Sequence, residues 1–256
     1  MRQNKVKRKL RDDQQVIGSF VVSDSRANIE VLAAAGYEFV VIDTEHFMKN
    51  PETIEHMVTT CEAVGITPFV RVQEDPSLIS RALDCGAMGI IAPHVDTPEE
   101  ARRVVDEAKY LPTGKRGACN PRAVTYGVNG IQSMVDFYRE SNEETMVICQ
   151  IETKTAVDNV EEIIQVEGID SLFVGPVDLS NALGITGQFD HPKLKEQIDI
   201  VLETGLKNDM PVSTIAFDSQ SANEFIEQGF QLIALAADSI LLMRSAAEEL
   251  SQVDVG

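Results

Sequence analysis

Two short stretches carry the residues best suited to chemistry. Gln150-Ile151-Glu152-Thr153 and Val174-Gly175-Pro176-Val177-Asp178-Leu179-Ser180 each put one carboxylate directly after an apolar run. In a strand, side chains alternate faces at a rise of about 3.3 Å per residue, so Gln150 and Glu152 share a face and Ile151 points away. The spacing matches consecutive strands of a βα repeat, which predicts that Glu152 and Asp178 converge at the carboxyl ends of neighbouring parallel strands. Two hard oxygen ligands on a rigid rim, with other positions open, suit a divalent cation that must also hold substrate.

Further polar residues follow other apolar runs. Asp43, Glu45 and His46 end the second, Arg71 nearly ends the third, Pro93-His94 follows the fourth and Asp238 ends the eighth. Arg71 follows Pro68-Phe69-Val70, and an arginine in such a run is costly to bury alone. It must meet an anionic ligand or a carboxylate, with Asp43, Glu45 and Glu152 as structural candidates. Asp43 stands close enough to His46 to orient its imidazole for acid–base work. Gly175-Pro176 leaves backbone near Asp178 suited to amides that hold a carboxylate. His94, His56 and His191 lack comparable company and are set aside. Asp84, inside a helical segment, reads as a surface acid.

The elements that position these residues are legible in the alternation of the chain. Strands are expected at Val16–Ser23, Phe39–Asp43, Pro68–Val72, Gly89–Pro93, Thr145–Glu152, Ser171–Pro176, Pro211–Phe217 and Leu232–Asp238. Most are continuous apolar runs, the pattern of parallel strands covered on both faces. Helical segments with Pro, Gly or Ser at their ends lie between them, among them Glu52–Val64, Pro98–Lys109, Lys154–Gln165, Pro192–Asn208 and Ser219–Gln228. Eight strand–helix units in about 240 residues predict an α/β fold, a single (β/α)8 TIM barrel over residues 15–256, with chemistry at its carboxyl rim. A doubly wound sheet would show a glycine-rich phosphate turn after the first strand, and Ser23-Asp24-Ser25-Arg26 stands there instead. The longest insertion, Leu111–Gly130, is expected to form an active-site flap.

Composition narrows the function classes. The chain has 256 residues and a formal net charge of −19. Six of its 22 basic residues lie in the first eleven positions, leaving 16 basic against 41 acidic residues beyond them. Residues 1–14 are read as a basic extension, mobile or loosely packed. The acidic body repels nucleic acid and anionic membranes, so neither is an expected partner. No apolar run approaches the roughly 18 residues of a membrane span, and the start lacks the apolar segment of a secretion signal. Cys61, Cys85, Cys119 and Cys149 are scattered without ligand spacing, which fits a reducing cytoplasm.

Taken jointly and in order, Val41-Ile42-Asp43-Thr44-Glu45-His46, Phe69-Val70-Arg71-Val72, Leu83-Asp84-Cys85-Gly86-Ala87, Arg116-Gly117, Gln150-Ile151-Glu152-Thr153 and Val174-Gly175-Pro176-Val177-Asp178-Leu179-Ser180 resemble the HpcH/HpaI aldolases. The resemblance spans residues 16 to 250. It implies a class II pyruvate aldolase that cleaves a 4-hydroxy-2-oxo acid into pyruvate and an aldehyde. It implies Mg²⁺, Mn²⁺ or Co²⁺ on Glu152 and Asp178, His46 as the acid/base held by Asp43, and Arg71 on the ketone or enolate oxygen. By the same resemblance the amides around Gly175 and Pro176 hold the pyruvate carboxylate, Gln150 supports the site, and Asp84 reaches the site of a neighbouring subunit. It further implies a homo-oligomer, a trimer or hexamer, whose last helix is exchanged between subunits.

Two rival readings remain at this level. A CoA-ester lyase of the citrate lyase β-subunit type shares the barrel and the Glu/Asp pair but needs a basic surface for CoA. A catalytically silent barrel acting as a binding protein predicts loss of a key residue, and all are present. A Schiff-base aldolase needs a desolvated lysine in a strand. Lys154, just past Glu152, is the only near miss.

Overall fold

Side-chain alternation along each apolar run builds the barrel and aims its polar ends. In the computed structural model, which describes residues 2–72, 77–128 and 130–254, these runs form β1 (Val16–Val21), β2 (Phe39–Asp43), β3 (Thr67–Arg71), β4 (Gly89–Ala92), β5 (Met146–Ile151), β6 (Ser171–Val174), β7 (Val212–Ala216) and β8 (Leu232–Ala237). Each strand pairs in parallel with the next and β8 pairs with β1, closing the barrel in sequence order. The expected (β/α)8 architecture is the observed one. Strand ends fall within one or two residues of expectation. Met1, Asn129, Val255 and Gly256, at the edges of the expected extension, flap and barrel, lie outside the described residues.

The helices are α1 (Lys5–Arg11), α2 (Arg26–Ala34), α3 (Pro51–Val64), α4 (Ser77–Asp84), α5 (Pro98–Ala108), α6 (Ile131–Glu144), α7 (Lys154–Asp158), α8 (Val160–Ile163), α9 (Pro176–Ala182), α10 (Pro192–Lys207), α11 (Ser219–Gln228) and α12 (Asp238–Ser251). Their ends follow local chemistry. Thr97 and Glu100 form a reciprocal capping box at α5, and Asn50 caps α3 ahead of Pro51. Gly65 stops α3 at φ 78°, a left-handed value that favours glycine. Among the described residues, no helix is long and apolar enough to cross a membrane.

One face of each strand packs outward on the helices. Val40, Ile42, Val70, Ile90, Val147 and Cys149 are buried in that layer, and burial pushes the Cys149 thiol up to about 12. The other face fills the barrel with Val16, Phe20, Phe39, Val41, Phe69, Met146, Ile148 and Phe173. Gly18 leaves room there for the Phe39 ring, since a Cβ would lie 2.3 Å from it. Following the inward file upward, apolar residues give way to polar ones. Phe39 and Val41 precede Asp43, Phe69 precedes Arg71, and Met146 and Ile148 precede Gln150 and Glu152. The period of two thus delivers these groups to the carboxyl rim.

Three segments depart from the sequence reading. Residues 5–11 of the supposedly loose extension form α1, packed against the barrel. Val6 and Leu10, four apart on one helical face, are buried with the barrel interior. Asn4 caps α1 and donates to the Met88 and Glu144 carbonyls at 3.1 and 2.9 Å. The density of charge in this segment concealed its apolar pair. Lys154–Gln165, expected as one helix, is interrupted at Asn159, whose amide donates to the Asp96 carbonyl at 2.8 Å. The Leu111–Gly130 insertion contains a 3₁₀ turn at Arg122–Gly127, and α6, which the sequence reading lacked, follows it.

Candidate active site

Asp43 and Arg71 form the fixed centre of the rim. They are register partners on β2 and β3, and both point inward. Arg71 Nε and Nη2 donate to Asp43 Oδ1 and Oδ2 at 2.9 and 2.8 Å, a bidentate pair. The guanidinium also lies over the Phe20 ring at 4.9 Å, and its Nη1 is 3.2 Å from Glu45 Oε2. Burial opposes the Arg71 charge, but the hydrogen bonds and charge of Asp43 outweigh it and hold the pKa above the ordinary value.

Glu152 lies across the mouth, 1% exposed at the end of β5. Gln150 Nε2 donates to its Oε2, and the His94 amide donates to its Oε1 at 2.8 Å. Burial pushes the Glu152 carboxyl up, against the pull of these donors. Gly175 fits tightly beside it, because a Cβ there would lie 3.0 Å from Glu152 Oε2. The glycine therefore lets the Asp178 turn approach Glu152. Asp178 itself stands half-buried in the first turn of α9.

His94 joins the two halves. Its Nδ1 is 3.1 Å from Glu152 Oε1 and its Nε2 is 3.3 Å from Glu45 Oε1. Ligand atoms of Glu45, His94 and Glu152 all lie within 4.8 Å of one another. Two acceptors in this site, Glu45 Oε2 and Gln150 Oε1, are buried without a hydrogen bond. Carboxylate oxygens, an imidazole and the unpaired Gln150 Oε1 form a donor set that fits a divalent cation.

Several expected placements change. Asp43 does not orient His46: both its oxygens face Arg71, and Oδ1 also accepts the Glu45 amide at 3.1 Å. His46 is exposed, with Nε2 3.9 Å from Glu45 Oε1. Gly175 and Pro176 do not themselves offer amides to an anion. The Gly175 N–H is bound to the Ile151 carbonyl at 3.2 Å, and proline has none. Val177 and Asp178 follow in the first turn of α9, where helix amides have no partner within the helix. Asp84 accepts from Arg116 at 2.6 Å, and that guanidinium stacks on Tyr110 at 4.6 Å. Lys154 pairs with Asp158 on the exposed side of α7, away from any strand interior.

His94, set aside in the sequence reading, is the residue it most undervalued. A signal was present: β4 pairs with β5 from Gly89 and Met146 to Ala92 and Cys149. Extending that register puts His94 beside Ile151-Glu152. A cavity of about 460 Å³ opens next to His94, lined also by Val72, Ile79, Asp96 and Arg103. Hollows of about 850 and 870 Å³ occur elsewhere, and none of these rim residues lines either one.

A family model described as HpcH/HpaI aldolase/citrate lyase matches residues 16–245. The chain belongs to that family. A 2-dehydro-3,6-dideoxy-6-sulfogluconate aldolase from Pseudomonas putida is 34% identical over 234 residues, covering 91% of this chain and 90% of that one. A 5-keto-4-deoxy-D-glucarate aldolase from Klebsiella pneumoniae is 32% identical, covering 97% of this chain and 95% of its own. The crystal structure of a family member from Burkholderia cenocepacia J2315 superposes with a TM-score of 0.91 at 32% identity, covering 98% of this chain and 99% of that one. The family likeness thus covers every element of the rim.

Proposed function

We propose that this chain is a class II aldolase that reversibly cleaves a 4-hydroxy-2-oxo acid into pyruvate and an aldehyde, a carbon–carbon lyase dependent on a divalent cation. The observation that carries this reading is the single rim on which Arg71, Glu45, His94 and Glu152 meet. The aldolases it resembles act on sugar-derived oxo acids, which favours a 2-oxo-3-deoxy sugar acid or a 4-hydroxy-2-oxoheptanedioate as substrate. The CoA-ester lyase alternative needs a basic CoA surface, which the formal net charge of −19 disfavours.

Glu152 and Asp178 hold the cation, which is Mg²⁺, Mn²⁺ or Co²⁺. Bound there, it supplies Lewis-acid stabilisation to the enolate charge that develops on cleavage. Arg71, fixed by Asp43, places its guanidinium on the same developing charge without reorganising. The Val177 and Asp178 amides receive the pyruvate carboxylate, and Gln150 holds Glu152 in place. His46, exposed at the rim, removes the proton from the 4-hydroxyl through water. Its exposure suits a base that meets substrate rather than one locked in a triad.

The same reading makes the active protein a homo-oligomer, a trimer or hexamer, in the cytoplasm. Leu242, Met243 and Leu250 of α12 are exposed, which supports exchange of that helix with a neighbour. Asp84 then faces a neighbouring site. The test follows deuterium exchange at the methyl group of pyruvate, with and without a chelator. Exchange should need the cation and should fall roughly a thousandfold in Glu152→Ala, from several kcal/mol of lost electrostatic stabilisation. Exchange that survives chelation, or borohydride trapping of a lysine adduct, overturns the reading.

A further inference from the structure

We propose that His94 is a nitrogen ligand of the cation, bound through Nδ1 beside Glu152 and held in that tautomer by Glu45. The inference rests on the aldolase reading above and adds a residue to it. Both ring nitrogens face carboxylate oxygens, Nδ1 at 3.1 Å from Glu152 and Nε2 at 3.3 Å from Glu45. A neutral imidazole has one N–H donor and one lone pair. It satisfies one carboxylate and turns its lone pair on the other. With a cation between Nδ1 and Glu152, the lone pair coordinates and Nε2–H donates to Glu45.

The spacing agrees. Two neighbouring ligands at about 2.1 Å from one ion stand roughly 3 Å apart, close to the observed Nδ1–Oε1 separation of 3.1 Å. The backbone contributes as well. His94 sits at φ 54°, left-handed and uncommon for a non-glycine residue. That conformation aims its amide at Glu152 Oε1 (2.8 Å) while its ring spans the two carboxylates. Glu45 is steadied in turn by Arg71 Nη1 at 3.2 Å. A carboxylate that orients a ligating histidine is a recurrent way to fix tautomer and ring angle. The chemical consequence is a mixed oxygen–nitrogen site, which favours Co²⁺ or Mn²⁺ over Mg²⁺.

The test uses the full chain loaded with Mn²⁺ and read by pulsed EPR after incorporation of ¹⁵N-histidine. The wild type should show coupling to one imidazole nitrogen. His46→Ala should keep it and His94→Asn should lose it, asparagine being chosen because it tolerates left-handed backbone. Mn²⁺ affinity should fall at least about tenfold in His94→Asn, and by roughly tenfold in Glu45→Gln with the nitrogen signal retained. Stoichiometric Mn²⁺ without nitrogen coupling in the wild type, or coupling that persists in His94→Asn, overturns the His94 assignment and leaves the aldolase reading standing. Failure of the wild type to bind Mn²⁺ at all sinks both.

Discussion

The two ends of the barrel bury charge in opposite ways. At the carboxyl rim Asp43 and Glu45 share one guanidinium, Arg71, and the charge of Glu152 acts on it from farther off. At the floor the proportions reverse: Lys7 and Lys109 share one carboxylate, Asp170, at 2.7 and 3.2 Å. The floor completes itself from its own backbone. Lys7 donates to the Thr145 carbonyl at 3.0 Å and Lys109 to the Asn142 and Thr145 carbonyls. These are carbonyls at the end of α6, where unsatisfied acceptors and the helix dipole favour cations. Asp170 is fixed by the Val147 amide at 2.9 Å. The rim is completed less fully: the Glu45 and His94 amides reach Asp43 and Glu152, but Gln150 Oε1 is buried without a hydrogen bond. A charge cluster closed by backbone stabilises; one left open awaits a ligand.

The largest effect should come from breaking the rim. Arg71→Met leaves Asp43 and Glu45 as buried carboxylates without their cation. It should lower kcat/KM at least a hundredfold or so, and reduce unfolding stability by about 3–5 kcal/mol. Steady-state kinetics and denaturant unfolding read the two losses separately. A rim variant that keeps full turnover would erase the distinction between the two ends.

Asp170→Asn should show the complementary pattern. Two buried ammoniums lose their carboxylate, and stability should drop by about 3 kcal/mol, while kcat/KM below the unfolding range stays within about twofold. Loss of activity in a folded Asp170→Asn protein would show that the floor also serves the chemistry.

The smallest effect is a pH signature of the floor. Burial pushes the Lys109 ammonium down to about 8 from 10.5. Between these values the unfolded chain holds a proton that the native state has released, so stability rises with pH in that window. The contribution is fully present above 10.5 and lost as pH falls through about 8. It amounts to at most about 3 kcal/mol. Urea unfolding at pH 7.5 and 9.5 should show this rise in the wild type relative to Lys109→Met. An equal pH response in both would refute it.

Much of the rim was legible because it depends on alternation within single strands. Gln150 and Glu152 had to share a face, and Arg71 in an apolar run had to find a carboxylate. The Asp43–Arg71 pair is one of the partners the sequence allowed. Chain proximity misled elsewhere. Asp43 and His46 are three residues apart, yet Asp43 turns to Arg71, its register partner on the next strand. The packed α1 was hidden for a similar reason: Val6 and Leu10 are only two apolar residues, and their value depends on a barrel interior built by residues far along the chain.

By itself the sequence determined the eight strand–helix units, the rim to which Asp43, Arg71, Gln150 and Glu152 rise, and the family to which the chain belongs. Local periodicity suffices for that, because a strand has only two faces. Tertiary structure alone decided which charges meet. Closure of the barrel set β2 beside β3 and β4 beside β5, a left-handed turn swung His94 between Glu45 and Glu152, and α1 brought Lys7 to Asp170. Such encounters join residues tens to hundreds of positions apart. Their energies depend on burial and register, quantities that exist only once the chain has closed on itself.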